Sequence, residues 1–243
     1  MLGMATLLAF AVGVSSAQAA TVTVGDPLTS PSYGVSGFSG GPYTIFNTKL
    51  ISGQDPGSPV DGTVISWGVG SPNGGFALQI LRATGAGTYF ATDGTAQRQL
   101  RFDNAASPPQ ATSLPIEKGD LIALRTAGGT SLYQSSLGSS ARIAPAVYPG
   151  ESAVAATVTS TTDNYIYNAT IRYCLVPQLT GKSLTTARSA LLAADCSVGT
   201  ITKPKKKKAR KKAKVVRSTS LPAGASVSDT TPIDLRLGKK PKK

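Results

Sequence analysis

The chain has 243 residues, 40% of them hydrophobic, 6% aromatic and only 15% charged, where an average globular domain has about a quarter charged. It has no His, which excludes Ser-His-Asp and Cys-His nucleophile pairs and HExxH zinc sites; its 2 Cys cannot form a four-thiolate zinc site either. The net charge of +13 is localised: residues 174–243 hold 13 Lys and 4 Arg against 3 Asp, whereas residues 1–173 hold 8 basic and 9 acidic groups, so a near-neutral segment is joined to one suited to a polyanion.

Residues 1–19 read as a secretory signal peptide. An apolar run over residues 1–14 precedes Ala17-Gln18-Ala19, an A-x-A site with cleavage expected after Ala19. The run is shorter than the roughly 20 apolar residues a membrane span needs. No Lys or Arg precedes it; a start codon upstream of Met1 would account for that. A buried element of the first domain is the competing reading. The mature chain is therefore expected outside the cytoplasm, secreted or in the cell wall. Its even Cys count then favours a Cys174–Cys196 disulfide.

Residues 20–173 contain short alternating stretches rather than helical periodicity. Ile65, Trp67 and Val69 share one face of a strand, and Phe76, Leu78 and Ile80 share a face of another. Asp120–Leu124 follows a Lys118-Gly119 turn. The run from Tyr165 to Tyr173 alternates, with Asn168, Thr170 and Arg172 on its outer face. Turn signals separate these runs at Pro72-Asn73-Gly74-Gly75, Asp93-Gly94, Pro108-Pro109 and Gly128-Gly129. The pattern predicts an antiparallel β-sandwich, jelly-roll-like, in a mainly β protein.

Within this sandwich Trp67 reads as core. Tyr33, Tyr43, Tyr89, Tyr133 and Tyr148 lie in more polar surroundings and are the candidates for stacking on a sugar. Catalysis has little support. The chain has two Glu, Glu117 and Glu151, and a glycosidase needs two carboxylates about 5–10 Å apart. Glu117 and Asp120 bracket the Lys118-Gly119 turn, where both are expected in solvent. Asp61, Asp93 and Asp103 are calcium candidates without EF-hand spacing. No catalytic residue, cofactor or metal site is assigned. Asn168-Ala169-Thr170 fits the glycosylation sequon but also reads as polar residues on an outer face.

The segment 174–238 is more specific. Ser183 is a good N-cap for a helix that puts Leu184, Ala187, Leu191 and Ala194 on one face, with Ala190 alongside, and ends at Asp195-Cys196-Ser197. Val198–Thr202, Val215-Val216 and Pro232–Leu237 read as strands, with a turn-rich excursion between Ser220 and Val227. Val176-Pro177, Leu179-Thr-Gly181, Leu184-x-x-Ala187-x-x-x-Leu191, Gly199, Leu221-Pro222-Ala-Gly224 and Thr231-Pro232-Ile233-Asp234-Leu235 occur in the order and spacing of the PASTA domain, which this stretch of about 65 residues resembles. The resemblance implies one helix on a three-stranded sheet, a small α+β module of extracellular bacterial proteins, with peptidoglycan fragments or β-lactams as partners. The expected core is Leu184, Leu191, Val198, Ile201, Ile233 and Leu235, too small for a deep pocket.

Two features depart from the family pattern. One is the Cys174/Cys196 pair, which would tie the helix end to the end of the sandwich at Tyr173 and leave almost no linker. The other is the connection 203–214, where nine of twelve residues are basic. Like charges at this density keep a segment solvated. Lys205, Lys206, Lys207, Lys208, Arg210, Lys211, Lys212 and Lys214 are the candidate polyanion contacts, followed by a basic tail, residues 239–243. The tract could serve solubility alone, hold an anionic wall or membrane polymer, or bind nucleic acid; an exported protein seldom meets DNA, and no aromatics are interleaved for base stacking. The reading is a non-enzymatic exported cell-envelope protein, with peptidoglycan or an anionic wall polymer as partner. The runner-up is a secreted carbohydrate-binding or adhesion protein acting through the sandwich.

Overall fold

The computed structural model describes residues 19–28, 34–85, 87–102, 104–205 and 215–239. The expected signal peptide lies outside them except for Ala19. So do Tyr33, Asp103, residues 206–214 of the basic connection and the tail beyond Lys239.

The N-terminal part is built from strands β1 (Ala20–Gly25), β2 (Gly34–Phe38), β3 (Tyr43–Lys49), β4 (Gly62–Val69), β5 (Asn73–Gly85), β6 (Thr88–Gly94), β7 (Arg98–Arg101), β8 (Gln110–Ile116), β9 (Leu121–Thr126), β10 (Thr130–Ser135), β11 (Ser139–Ile143), β12 (Val154–Ala155), β13 (Thr157–Ser160), β14 (Asn164–Tyr165) and β15 (Tyr167–Leu175). They form two antiparallel sheets. The smaller is ordered β1-β15-β4-β8. The larger is ordered β12-β6-β5-β9-β3-β11-β13, with β10 bridging β2, β14 and β5, and β7 added to β5. Val24, Val64, Trp67, Ala169 and Ile171 of the smaller sheet pack with Ile45, Phe76, Leu78, Ile80 and Leu124 of the larger in one core. Burying each large aliphatic side chain contributes about 1.5–3 kcal/mol. The sandwich expected from the alternating runs is present, and Trp67 is in its core.

Two details differ from the sequence pattern. Trp67 and Val69 are in the core, but Val64 takes the place expected for Ile65. The register slips between Val64 and Ser66 against β8, and between Thr170 and Ile171 against β15. Ile65 is thus the extra residue of a bulge, which resets which side chains face inward. The larger sheet is also buried on both faces. A second cluster of Phe46, Leu81, Ala91, Ala123, Ala141, Ile143 and Val147 lies behind it, with Val154 and Ala156 packed against it. The segment that brings Val147, Val154 and Ala156 onto this face turns an expected outer surface into interior.

The C-terminal part holds the helix α1 (Leu184–Ala193) and strands β16 (Ser197–Thr202), β17 (Val215–Thr219), β18 (Ser226–Val227) and β19 (Pro232–Gly238). Ser183 caps the helix by accepting the Thr186 N–H at 3.2 Å. Ala187 and Leu191 are its buried face. The small sheet is ordered β16-β19-β17, with β16 parallel and β17 antiparallel to β19. Leu191, Ile233 and Leu235 form its core as expected, with Leu184, Val198 and Ile201 packed against it; Val176, Leu179, Val216 and Leu237 complete it. Asp234 Oδ1 accepts the Thr200 N–H at 2.6 Å. A Cβ on Gly199 would run into that carboxylate, which is why glycine stands there. Gly224 has φ +83°, a left-handed turn from which its N–H reaches Val176 O at 2.8 Å.

Candidate functional site

The two parts are joined without a linker. β15 crosses the smaller sheet of the sandwich and continues to Cys174 and Leu175, which pair with Val227 and Ser226 of β18. Cys174 and Cys196 are disulfide-bonded, with Cα atoms 4.9 Å apart. Beside this bond Asp229, its side chain 8% exposed, accepts from Arg172 Nη2 at 2.9 Å and from Thr63 Oγ1 at 2.7 Å. Asp195 lies 3.7 Å from Arg172 Nε. The acidic side chains Asp195 and Asp229 therefore face the sandwich.

Described basic residues lie at the opposite end of the small sheet. Ser197 is paired with Pro232 near the sandwich, whereas Thr202 is paired with Arg236 and Val215 with Gly238. The chain therefore leaves β16 and re-enters β17 at the same end at which β19 runs out into Lys239. Arg217 lies against Gly238. Lys182, whose carbonyl accepts the Val216 N–H at 2.9 Å, belongs to this end too. The seven residues of β19, at about 3.3 Å each, separate it from the sandwich contact by about 20 Å. Of the candidate polyanion contacts, Lys205 is described and exposed; Lys206, Lys207, Lys208, Arg210, Lys211, Lys212 and Lys214 lie outside the described residues.

The carboxylates of the sandwich are arranged differently from the sequence expectation. Asp120 is 3% exposed, not solvated at its turn. Arg82 holds it through Nε–Oδ1 and Nη2–Oδ2 hydrogen bonds, both 2.8 Å, and the Glu117 N–H donates to it at 2.9 Å. Arg82 Nη2 also meets Glu117 Oε1 at 3.0 Å. Hydrogen bonding to Asp120 pushes the Arg82 guanidinium above its ordinary range, against the opposing effect of desolvation. Arg82, Glu117 and Asp61 line a cleft of about 470 Å³ that Ser228 and Thr231 of the C-terminal part close. Asp61 accepts the Lys118 N–H at 2.7 Å. The cleft thus has two carboxylates on its wall, one bound to a guanidinium and one to a backbone donor.

Of the calcium candidates, Asp93 accepts from its neighbour Gly94, Asp61 from Lys118, and Asp103 is outside the described residues. Among the described residues no group of three or more Cys, Asp or Glu is placed to hold a metal ion. Each described tyrosine candidate has a partner of its own, and Tyr33 is outside the described residues. Tyr89 packs edge-on against Phe46 at 4.7 Å. Arg125 covers Tyr148 at 4.5 Å and Arg142 covers Tyr43 at 5.3 Å. Tyr133 donates to Asn104 Oδ1 at 3.4 Å. Asn168, half-buried, donates from Nδ2 to Asp26 O at 3.2 Å.

A buried polar knot is invisible in the local sequence. Asp26, 1% exposed, accepts from the Ile51 N–H at 2.8 Å, from Asn47 Nδ2 at 3.2 Å and from Asn164 Nδ2. Asn164 Oδ1 has no hydrogen-bond partner. Burial pushes the Asp26 carboxyl above its ordinary range, opposed by the Ile51 and Asn164 hydrogen bonds. Burial also raises the Tyr167 phenol, whose O–H donates to Ile122 O at 2.9 Å. This knot joins the end of β1 to β3 and β14.

Among the described residues no helix is long and apolar enough to cross a membrane. Residues 175–239 match the PASTA domain family. No curated protein and no solved structure matches the chain.

Proposed function

We propose that this PASTA-bearing chain is a non-catalytic, exported cell-envelope protein whose C-terminal module holds peptidoglycan or an anionic wall polymer and whose sandwich faces outward from that contact. PASTA domains are extracytoplasmic modules of bacterial envelope proteins and associate with peptidoglycan and β-lactam-like ligands. The Cys174–Cys196 disulfide fits an oxidising compartment.

The observation that carries the anionic partner is the convergence at one end of the small sheet. β16 ends and β17 begins there, the sequence between them carries nine basic residues, and Arg217, Arg236, Lys182 and Lys239 stand at the same end. The acidic side chains Asp195 and Asp229 are engaged at the other end by Arg172. A concentrated field of one sign attracts a polyanion without requiring a shaped pocket, and lysines suit phosphate or carboxylate polymers without sequence demands.

The test is sedimentation of the exported chain with purified peptidoglycan and with isolated anionic wall polymer across a salt series. Binding should fall steeply as salt rises, since exposed charges are screened within about 10 Å at 0.1 M. Replacing Lys205–Lys208 by Gln should weaken binding while leaving thermal unfolding unchanged. Equal binding by parent and variant would make the basic connection a solubility feature.

A further inference from the structure

Among the strand edges of the larger sheet that no described neighbour covers are those of β2 and β13. β2 is paired on one side only, to β10, and β13 on one side only, to β11. They flank a groove of about 380 Å³. Across its floor runs a chain of hydroxyls: Ser140 Oγ to Thr159 Oγ1 at 3.1 Å, and Thr159 Oγ1 to the Tyr165 hydroxyl at 3.3 Å. Gln134 and Asp163 line it as well. Asp163 Oδ2 accepts from Ser160 Oγ at 3.0 Å, which leaves Oδ1 for another donor. Arg142 lies in the same groove with its guanidinium over the Tyr43 ring. No acidic side chain among the described residues pairs with it.

These groups select a chemistry. Linked hydroxyls both donate and accept, which matches a polyol better than a charged peptide backbone. A primary amide and a carboxylate oxygen add one donor set and one acceptor. A guanidinium braced on an aromatic ring and lacking a counter-anion presents its planar fork to a carboxylate. The groove offers little apolar floor, which disfavours an aliphatic or aromatic guest. We propose that the groove between β2 and β13 binds an acidic glycan, with ring hydroxyls on Ser140, Thr159, Tyr165 and Gln134 and a sugar carboxylate on Arg142. This site belongs to the sandwich and is independent of the basic end of the PASTA module.

The test uses the full chain carrying Lys205–Lys208→Gln, which suppresses the basic connection, at 0.3 M salt. The probes are galacturonate oligomers and their methyl esters, which keep the hydroxyls and lose the charge, followed by calorimetry. The acid form should bind at least ten-fold tighter than the ester. Arg142→Gln should abolish that preference, bringing binding of the acid form down to that of the ester; Arg142 is exposed, so its loss leaves no buried partner. Gln134→Ala should weaken both forms. Absence of binding by either form, an acid preference that survives Arg142→Gln, or displacement of the glycan by poly-glutamate at equal concentration would each overturn the proposal. Retained wall binding by Arg142→Gln made in the parent chain, with its lysines intact, would separate failure here from failure of the basic-end reading.

Discussion

Arg172 donates to Asp229 Oδ2 from Nε at 3.0 Å and from Nη2 at 2.9 Å, so a strand of the sandwich grips the loop that precedes the last strand of the PASTA module. With Thr63 on the same carboxylate and β18 paired to β15, the two parts should unfold together. Calorimetry of the parent chain is expected to show one transition. Asp229→Ala should cost about 1–2 kcal/mol, the range of a hydrogen bond to a charged group reduced by the partial exposure of Arg172. It should also broaden or split that transition. A variant that unfolds as one unit at the parent temperature would show that the ion pair does not couple the parts.

Arg82 is the counter-charge of a buried carboxylate. Arg82→Ala would leave Asp120, 3% exposed, with the Glu117 N–H as its donor. Removing one partner of a buried pair typically costs about 3–5 kcal/mol; partial solvent access to Arg82 puts the expected loss near the lower end. Adding Asp120→Asn to that variant should recover part of the loss, because the uncompensated charge goes with it. Urea unfolding of the three chains measures this, and a double variant no more stable than Arg82→Ala would refute the charge argument.

The features that recur locally were readable. Alternation put Phe76, Leu78 and Ile80 in the core, and the apolar spacing from Leu184 to Ala194 located the helix and its Ser183 cap. The PASTA motif was legible because its residues answer to short-range geometry: Gly199 makes room for Asp234, and Gly224 turns back to Val176. What depends on distant partners was not. A single inserted residue at Ile65 undid the face expected of β4. Asp120 looked like a turn residue because its guanidinium comes from 38 positions away, and Asp26 carried no signal because its partner Asn164 is 138 positions away. The groove proposed for a glycan is assembled from β2, β10, β11, β13 and β14, none of which carries a motif of its own.

Asp26 makes the stability of the sandwich depend on pH. Its folded-state pKa is raised by burial above the ordinary 3.8, so the fold favours the protonated carboxyl. The native state then binds more protons than the unfolded chain between 3.8 and the raised value. This group's contribution is therefore most favourable below about pH 4 and is lost as pH rises through the folded value. Asp26→Asn keeps an oxygen for the Ile51 N–H, and its new amide can meet the unused Asn164 Oδ1 if that side chain turns over. The variant should lose the part of the acid-side slope that Asp26 supplies. Denaturation free energies from pH 4 to 7 test this; parallel profiles for parent and variant would remove Asp26 as their source.

β15 also determines how the molecule would carry mechanical load. If the basic end is fixed to a wall and the sandwich is pulled by whatever it holds, tension enters the sandwich along β15. That strand lies between β1 and β4, and antiparallel hydrogen bonds run across the strands. They would be loaded in shear, many at once, instead of being unzipped one by one. At the other end the Cys174–Cys196 bond carries the force past the helix from β15 to the start of β16. The pull therefore reaches the small sheet without first having to unwind α1.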